Sequence, residues 1–353
     1  MSTDRKFIYG VINTEREKRF DFTGIGGGEV YNICHRDISA LVSDAPGLAF
    51  DSIPKEEILR HLVIYQYVAE QVMRDGDCTV IPVKFGTMAE GQAEVKKILS
   101  KGYPRFKHSL DELDGKIEFD IVALWNDMDS VFQEIREEQE IQEVIAGITG
   151  KPPREAHQDK VKVGELVQEK LVQKRKKLSD EITGSLKQAA CDLREHELLE
   201  GEAMIMNVSF LVDKKDVEGF NRKLYELDER YEGQLTFRQV GPLPPYSFNM
   251  MEVQEIGFEQ FNHACRRLEL RGDQVTALEI EQAYQRLSRK YHPDQRGGDP
   301  ERFEQITEAY QLLIDYCENT PKEDGRYPFI EENRKDFIIK VVAPQPLKSV
   351  VAA

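Results

Sequence analysis

Hydrophobic and polar residues follow one another along the chain in patterns that predict both strands and helices. The clearest strand pattern is the apolar run from Met204 to Val212, which is continuous enough to be buried on both faces. Asp213 is then a candidate N-cap. The apolar residues after it recur at helical spacing, at Val217, Phe220, Leu224 and Leu227. Because residues 234–240 fit a second strand, this stretch predicts a strand–helix–strand unit.

A proline-rich string, Gly241-Pro242-Leu243-Pro244-Pro245, follows the second strand. Three prolines in four residues exclude a helix and a central strand, because proline has no N–H to donate. A third extended run is expected to start at Tyr246-Ser247-Phe248. We therefore expect half of an α+β sandwich closed by a rigid turn. The structural turn residues are Gly241, Pro242, Pro244 and Pro245.

Further strand patterns lie before this unit, at residues 6–12, 29–33, 37–44, 80–87 and 117–125. Pro82 interrupts the fourth pattern. In the last one, apolar residues alternate with Glu118 and Asp120, which fits a half-buried strand. Helical patterns cover residues 89–100 and 128–144, and a third runs to Asp75 from a start signal at Ser52 and Pro54.

A longer helical pattern follows the break at residues 147–153, and its apolar residues recur every three or four positions from Val163 to Leu193. It predicts a helix of about 40 residues, on the order of 60 Å long at about 1.5 Å per residue. Such a helix could form a coiled coil with a partner, but we expect it to pack across a sheet of its own chain.

The glycine run from Gly24 to Gly28 allows two interpretations, a phosphate-binding loop or a turn. A phosphate loop must open a helix, whose N-terminus faces the anion. Here a strand pattern follows the run, and no Lys-Ser/Thr pair is present after it. We therefore expect a turn between strands.

Composition limits the functional classes. At 353 residues, with 40% hydrophobic and 32% charged residues, the chain is expected to form two or three domains. No apolar run reaches the roughly 18–20 residues of a membrane span, and residues 1–20 lack a signal-peptide pattern, so we expect a cytosolic protein. The net charge of −16 argues against nucleic acid as the main partner.

Reactive side chains show no recognisable constellation. The five cysteines are widely spaced without a C-x-x-C pair, which predicts free thiols and neither disulfides nor a zinc site. The seven histidines are scattered singly, and no nucleophile–base pair or metal-ligand spacing is recognisable. We therefore expect no catalytic residues, no metal and no cofactor, and an enzyme is the least supported class.

After Val253 the pattern changes from strands to helices. Residues 259–268 predict a short helix, and Thr276 and Glu279 have the spacing of a capping box that starts the next one. Its apolar face consists of Ile280, Ala283, Tyr284, Leu287 and Tyr291.

His292-Pro293-Asp294 is expected to end this helix, because the residue before a proline avoids the α region. Asp299 and Pro300 then supply a cap and a first-turn proline for the following helix. The inner face of that helix consists of Phe303, Ile306, Tyr310 and Leu313.

Four short strings, taken in order, resemble motifs of the F/L family of gas vesicle proteins. They are Ile8-Tyr9-Gly10-Val11, Asp37-Ile38-Ser39-Ala40-Leu41-Val42, Val80 to Thr87, and Gly241 to Phe248. The last string is the most specific, although Leu243 stands where the family commonly has tryptophan. The resemblance implies an α+β protein whose second domain is a modified ferredoxin-like fold. It also implies a minor component or assembly factor of gas vesicles that contacts the small hydrophobic shell protein.

Residues 258–316 are similar to a J domain, the module by which co-chaperones engage DnaK-type ATPases. The resemblance rests on the His-Pro-Asp string between two helices and on the register of the aromatic and aliphatic residues around it, Tyr284, Leu287, Tyr291, Phe303, Ala309 and Tyr310. It implies that the chaperone contacts His292, Pro293 and Asp294. The basic patch that it implies consists of Arg286, Arg289 and Lys290.

The chain departs from the J-domain pattern at positions that are usually basic, which hold Glu281, Gln282, Gln285 and Gln295. Docking to the ATPase depends on positive charge along that helix. Two interpretations therefore remain. Either the module recruits a DnaK-type chaperone, or it is a rigid arm whose binding is weak or absent.

Together these patterns predict four parts. They are an N-terminal α+β domain (1–113), a ferredoxin-like α+β domain with long helices (114–256), a J-like helical module (257–318) and a C-terminal tail (319–353). The tail pattern at residues 337–342, stopped by Pro344 and Pro346, predicts a strand that docks on the body; left free, it would be an adhesive edge. We expect a non-enzymatic gas vesicle accessory protein that binds the shell protein, with a general J-type co-chaperone as the alternative.

Overall fold

The structure, a computed structural model, describes residues 4–45, 54–75, 78–147, 153–198, 201, 203–295 and 298–342. The predicted helix start at Ser52 and the strand stop at Pro344 and Pro346 lie outside these residues. The chain forms two compact units, one from Met1–Glu112 with Asn249–Ala343 and one from Leu113–Phe248. The predicted division into four parts stays a prediction.

The first unit begins with an antiparallel sheet whose strands lie in the order β2-β3-β4-β1-β5, and β6 also pairs with β1. Its elements are β1 (Lys6–Ile12), β2 (Arg19–Thr23), β3 (Glu29–His35), β4 (Ile38–Asp44), α1 (Lys55–Asp75), β5 (Val80–Pro82), β6 (Met88–Ala89) and α2 (Gln92–Glu112). The predicted strands at 6–12, 29–33 and 37–44 are confirmed, whereas β2 was not predicted. The glycine run is a short 3-10 turn between β2 and β3, as expected.

Two predictions in this region were wrong in extent. The strand expected over residues 80–87 ends at Pro82, and the chain turns at Gly86, whose φ is +88°. The helix expected to end at Ser100 continues to Glu112 and contains Pro104. An interior proline costs about 3 kcal/mol. Burial of apolar residues on both sides of it, at Val95, Leu99, Phe106 and Leu110, offsets that cost.

The second unit has the connectivity of a ferredoxin-like fold. Its elements are β7 (Lys116–Trp125), α3 (Met128–Glu137), α4 (Gln139–Ala146), α5 (Pro153–Lys187), β8 (Asp192–Glu195), β9 (Met204–Asp213), α6 (Val217–Arg230) and β10 (Leu235–Leu243). The sheet is antiparallel with the order β10-β7-β9-β8. Numbered within the unit this is 4-1-3-2, with three successive helices in the first crossover, so the fold is a modified βαββαβ arrangement.

The helices of this unit differ from the predicted ones at their ends. The pattern over 128–144 is split at Glu138, whose extended backbone separates α3 from α4. The long helix α5 ends at Lys187, and Leu193 belongs to strand β8. Helix α5 packs on β9, α4 and α6 of the same unit, as expected. Asp213 occupies the N-cap position of a 3-10 turn (Lys214–Asp216) without a side-chain capping hydrogen bond, and α6 itself starts after Asp216.

The remainder of the first unit contains the helical module. Its elements are β11 (Met250–Gly257), α7 (Phe258–Arg267), β12 (Gln274–Val275), α8 (Ala277–Tyr291), α9 (Pro300–Asn319), β13 (Tyr327–Pro328) and β14 (Lys335–Val342). The capping box is confirmed, because Thr276 and Glu279 exchange both hydrogen bonds. The cap at Asp299, which accepts from Arg302 N, and the proline at the start of α9 are confirmed as well.

The strand predicted at residues 337–342 is confirmed as part of β14. It pairs antiparallel with β11 over eight residues, from Met250↔Val342 to Gly257↔Lys335. Two of its amides have side-chain acceptors. The Phe337 amide donates to the carboxylate of Asp336, and the Ile339 amide donates to the Asn319 side chain. The strand is therefore docked, with part of its backbone capped, and is not the free adhesive edge described as the alternative.

Across the described residues, no helix is both long and apolar enough to cross a membrane.

Candidate functional site

The His-Pro-Asp loop lies between α8 and α9, where the sequence predicted it. Helix α8 ends at Tyr291, and His292 adopts φ −54° and ψ 133°, outside the helical region. The loop is then closed by backbone hydrogen bonds from Gln295 N to His292 O (2.9 Å) and from Gly298 N to Gln295 O (2.9 Å). Pro293 and these two hydrogen bonds hold the described loop residues between the ends of the two helices.

The polar groups of this loop face solvent. The Asp294 side chain is 90% exposed, and its carboxylate lies 3.6 Å from Nδ1 of the half-exposed His292. The backbone N–H of Asp294 donates to that same Nδ1 at 3.3 Å. The imidazole packs against the Phe303 ring in a T-shaped contact, with ring centroids 5.2 Å apart. The loop therefore presents a carboxylate and an imidazole of defined orientation to solvent.

Gly298 is a positioning residue that the sequence analysis missed. A Cβ at this position would lie 2.1 Å from His292 O and 3.1 Å from the Cα of Pro293. Only glycine allows the chain to approach the loop backbone this closely. The neighbouring Asp299 amide donates to Tyr291 O at 3.1 Å, which ties the returning chain to the end of α8. A glycine shortly after His-Pro-Asp was the available signal.

The basic patch predicted from the J-domain resemblance lies on the last two turns of α8. Arg286 pairs with Glu269 (2.9 Å), Arg289 is exposed, and the Lys290 ammonium lies 5.1 Å from the Tyr291 ring centroid. The positive charges lie at the negative end of the helix dipole, which favours them there.

Arg302 of α9 adds a cation to this patch that was not predicted. Its guanidinium lies 4.2 Å from the Tyr291 ring centroid. The side chains of Glu281, Gln282 and Gln285 are exposed further toward the start of α8. Positive charge on α8 is therefore concentrated near the His-Pro-Asp loop.

A hydrophobic core formed by α7, α8 and α9 holds the two loop-bearing helices together. Tyr284 of α8 stacks on Tyr310 of α9, with ring centroids 4.2 Å apart. Beneath them Ile280, Leu287 and Leu313 are almost completely buried. The apolar faces predicted for both helices form this core.

The proline-rich string forms a second structured site, at the edge of the ferredoxin-like sheet. Gly241, with φ +134°, lies against β7, where a Cβ would be 2.8 Å from Glu118 O and from Phe119 Cδ1. The Gly241–Pro242 peptide is cis. Pairing with β7 resumes at Leu243↔Glu118 after an irregularity. Strand β10 therefore accommodates Pro242 because it is an edge strand with a bulge, and Pro244 and Pro245 lie beyond its end.

Tyr246 to Phe248 form a turn, which corrects the expected third extended run. Tyr246 N donates to Pro244 O (2.7 Å) and Phe248 N donates to Pro245 O (3.1 Å). The extended backbone begins only at Met250. These local hydrogen bonds use the donors that a strand would need.

Glu118 anchors this turn to the sheet. One carboxylate oxygen accepts from Ser247 N (2.8 Å) and the other from Ser247 Oγ (2.7 Å). The residue is 1% exposed, so its assignment to the polar side of a half-buried strand was wrong. Burial, reinforced by the nearby Asp120 carboxylate, raises the pKa of Glu118 well above its ordinary value.

A histidine and a second serine extend this network. Ser209 Oγ donates to Asp120 Oδ1 (2.5 Å) and lies 2.6 Å from His196 Nε2 and 3.0 Å from Ser247 Oγ. Burial lowers the pKa of His196, against the opposing effect of Asp120. This histidine–serine contact was not predicted, because Ser209 and His196 meet only when β8 pairs with β9.

This network has the residue types of a hydrolytic site but the placement of a structural one. Ser209 is completely buried, so its hydroxyl cannot reach a substrate carbonyl. The hydroxyl instead connects Asp120, His196 and Ser247 in one polar cluster. Its evident effect is to hold the proline-rich turn against the sheet. Over the stretches that the structure describes, no group of His, Cys, Asp and Glu side chains has the geometry to hold a metal ion.

Two family models match the regions of the chain that contain these two sites. The family model described as gas vesicle synthesis protein GvpL/GvpF matches residues 5–250, and the DnaJ domain model matches residues 267–319. Gas vesicle protein F1 of Halobacterium salinarum is 23% identical over 70% of this chain and 93% of its own length. Gas vesicle protein F of a Streptomyces species is 29% identical over 60% of this chain and 84% of its own.

Solved structures show the same fold. The crystal structure of GvpF from an Anabaena species has a TM-score of 0.61 at 20% identity, covering 69% of this chain and 98% of that one. GvpF from Microcystis aeruginosa has a TM-score of 0.55 at 19% identity, with 70% and 99% coverage. The chain therefore belongs to the gas vesicle synthesis protein GvpL/GvpF family and carries a C-terminal DnaJ domain.

Proposed function

We propose that this gas vesicle accessory protein binds the small hydrophobic shell protein through its α+β domains and recruits a DnaK-type chaperone through its DnaJ domain. The observation that carries the proposal is an outward-facing His-Pro-Asp loop joined in one chain to a GvpL/GvpF platform. In this role the protein performs no bond chemistry. It keeps an aggregation-prone subunit available for vesicle growth.

The charge distribution around the loop supports the chaperone arm. Arg286, Arg289, Lys290 and Arg302 place positive charge beside His292, and electrostatic attraction would steer an acidic docking surface toward it. Toward the start of α8, Glu281, Gln282 and Gln285 stand at positions where basic residues are usual. We therefore expect docking to be weak and sensitive to salt.

The family supports the shell-protein arm. Its relatives are gas vesicle proteins by name, and the matched region spans nearly their whole length. We accordingly propose a location at gas vesicles in the cytoplasm. The acidic surface of a chain with net charge −16 would help to keep a complex with an apolar client in solution.

The shell-protein arm is tested by a pull-down with the shell subunit at low and moderate salt. We expect retention of the shell subunit by the wild type and by a variant with a disabled loop, because the two arms are separate. Absence of any association at low salt would contradict the proposal.

The chaperone arm is tested by ATPase stimulation of a DnaK-type chaperone. We expect His292→Gln to reduce stimulation by at least about tenfold, as loss of a central contact does. The matched control is His263→Gln, an exposed histidine on α7 of the same module. Equal stimulation by wild type and His292→Gln would contradict the proposal that the DnaJ domain recruits the chaperone.

A second candidate function is that of a general J-type co-chaperone, which the DnaJ domain match and the loop geometry favour. It predicts that the protein prevents aggregation of unrelated apolar clients as well as of the shell protein. Protection limited to the shell subunit would select the gas vesicle role.

A further inference from the structure

The DnaJ domain is an insertion between two strands that pair with each other. The segment that contains it follows β11, which ends at Gly257, and precedes β14, which starts at Lys335; these two residues are partners in the ladder. The two ends of this segment are thus held side by side by eight residue pairs. A module on a flexible linker would have no such constraint.

Strand β11 is in turn attached to the N-terminal sheet. Val83, which follows β5, forms a parallel bridge with Met251, and Lys84 N donates to Met251 O at 2.7 Å. The Lys84 ammonium also pairs with the Glu252 carboxylate at 2.5 Å. The two-stranded sheet that carries the DnaJ domain is therefore joined to the N-terminal region by this bridge.

Helix α2 of the N-terminal region forms a clamp on the far end of the domain. The Lys101 side chain, only 10% exposed, pairs with Asp336 of β14 and donates to Thr320 Oγ1 at 3.2 Å. One turn later Arg105 donates to Glu318 O (3.2 Å) and to Asn319 Oδ1 (3.3 Å) at the end of α9. A single helix thus holds both α9 and β14.

Asn319 joins the parts of this clamp. The residue is 7% exposed, and Oδ1 accepts from the Ile339 amide of β14 at 2.9 Å. Its Nδ2 donates to Asp315 O at 2.8 Å, inside the last turn of α9. Lys340 of β14 pairs with Asp315. Because buried polar groups are costly to leave unpaired, these contacts resist separation of α9 from β14.

We infer that the DnaJ domain and the N-terminal domain form one rigid body, in which the α2 clamp and the β11–β14 pair fix the position of the His-Pro-Asp loop. Helix α9 has 20 residues and spans about 30 Å between the clamp and the loop. A chaperone docked at the loop is then held at a set place relative to the N-terminal sheet. That consequence for a bound chaperone rests on the proposed function, whereas the rigid body does not.

Hydrogen exchange on the full chain tests the inference. In the wild type we expect the amides of β14 and of the last turn of α9 to be protected to a similar degree as those of β1. In Lys101→Ala and in Asn319→Ala, protection of the Ile339 amide should fall by at least about tenfold while β1 stays protected. The matched control is Lys96→Ala, an exposed lysine on α2.

Fast exchange throughout β14 in the wild type, or equal protection in the clamp variants and the Lys96→Ala control, would overturn the rigid body. ATPase stimulation measured on the same proteins reports separately on the proposed function. Protected β14 with no stimulation by the wild type would leave the rigid body standing and reject the chaperone arm.

Discussion

The buried carboxyl of Glu118 makes the stability of the ferredoxin-like domain depend on pH. Its pKa is raised by burial and by the neighbouring Asp120, so the folded state favours the protonated form. The stabilisation from that proton is complete below the ordinary pKa of 4.5 and is lost as the pH rises through the folded-state value. We expect Glu118→Gln to remove this loss.

The glutamine keeps the contacts that the carboxylate makes. Its amide oxygen can accept from Ser247 N, and its amide nitrogen can donate to the Ser247 hydroxyl, which accepts as well as donates. One proton linked to folding changes the unfolding free energy by at most about 1.4 kcal/mol per pH unit. Above pH 4.5 the unfolding free energy of the variant should therefore rise relative to that of the wild type, by at most this amount per pH unit. The difference stops growing once the pH passes the folded-state pKa of Glu118.

Urea unfolding between pH 5 and pH 8.5 measures the difference, with the fluorescence of Trp125 as the probe. It is the single tryptophan of the chain and lies 6% exposed at the end of β7. His196 has a lowered pKa, so its contribution to stability is lost as the pH falls. Both proteins contain His196, so this contribution cancels to first order in the difference between their unfolding free energies. The matched control is Glu226→Gln, an exposed carboxylate on α6. Parallel curves for wild type and Glu118→Gln would refute the reasoning.

Two further predictions concern the His-Pro-Asp loop. Gly298→Ala should displace the backbone at His292 and lower ATPase stimulation severalfold, because an added Cβ has no room there. The control is Gly219→Ala, where nothing lies within 4 Å of the added Cβ, and it should leave stimulation unchanged. Equal stimulation by both variants would contradict the positioning role of Gly298. Glu269→Gln should free Arg286 and strengthen chaperone docking by about 1.4- to fivefold at low salt, as expected for an exposed pair worth about 0.2–1 kcal/mol. Binding titrations at two salt concentrations check the prediction for Glu269→Gln. An affinity that does not change, or that rises equally at high salt, would count against that prediction.

The helical module was predicted most closely from the sequence, because its signals are local. The capping box at Thr276, the stop before Pro293 and the cap at Asp299 each depend on residues within one turn of the helix end. These signals alone place the His-Pro-Asp loop between two helices. The approach of Gly298 to the loop depends instead on the path of the returning chain, and the sequence shows only a glycine there.

The predictions that failed concern features that depend on contacts between residues far apart in the sequence. Helix α2 continues through Pro104 because its apolar stripe is buried on both sides of the proline. Glu118 is buried because the turn at Ser247 folds over it, and no alternation along β7 reveals that. His196 and Ser209 are 13 residues apart and meet through the β8–β9 ladder, whose first strand has only four residues.

By itself the sequence determined the succession of strands and helices, both family resemblances and the place of the His-Pro-Asp loop. These depend on periodicity, caps and prolines, which act over a few residues. Only the tertiary structure decided that the DnaJ domain is held between β11 and β14 and clamped by α2. That arrangement joins Lys101 to Asp336 and Asn319 to Ile339. Such pairs are selected by the burial and hydrogen-bond satisfaction of the whole unit, which no local pattern encodes.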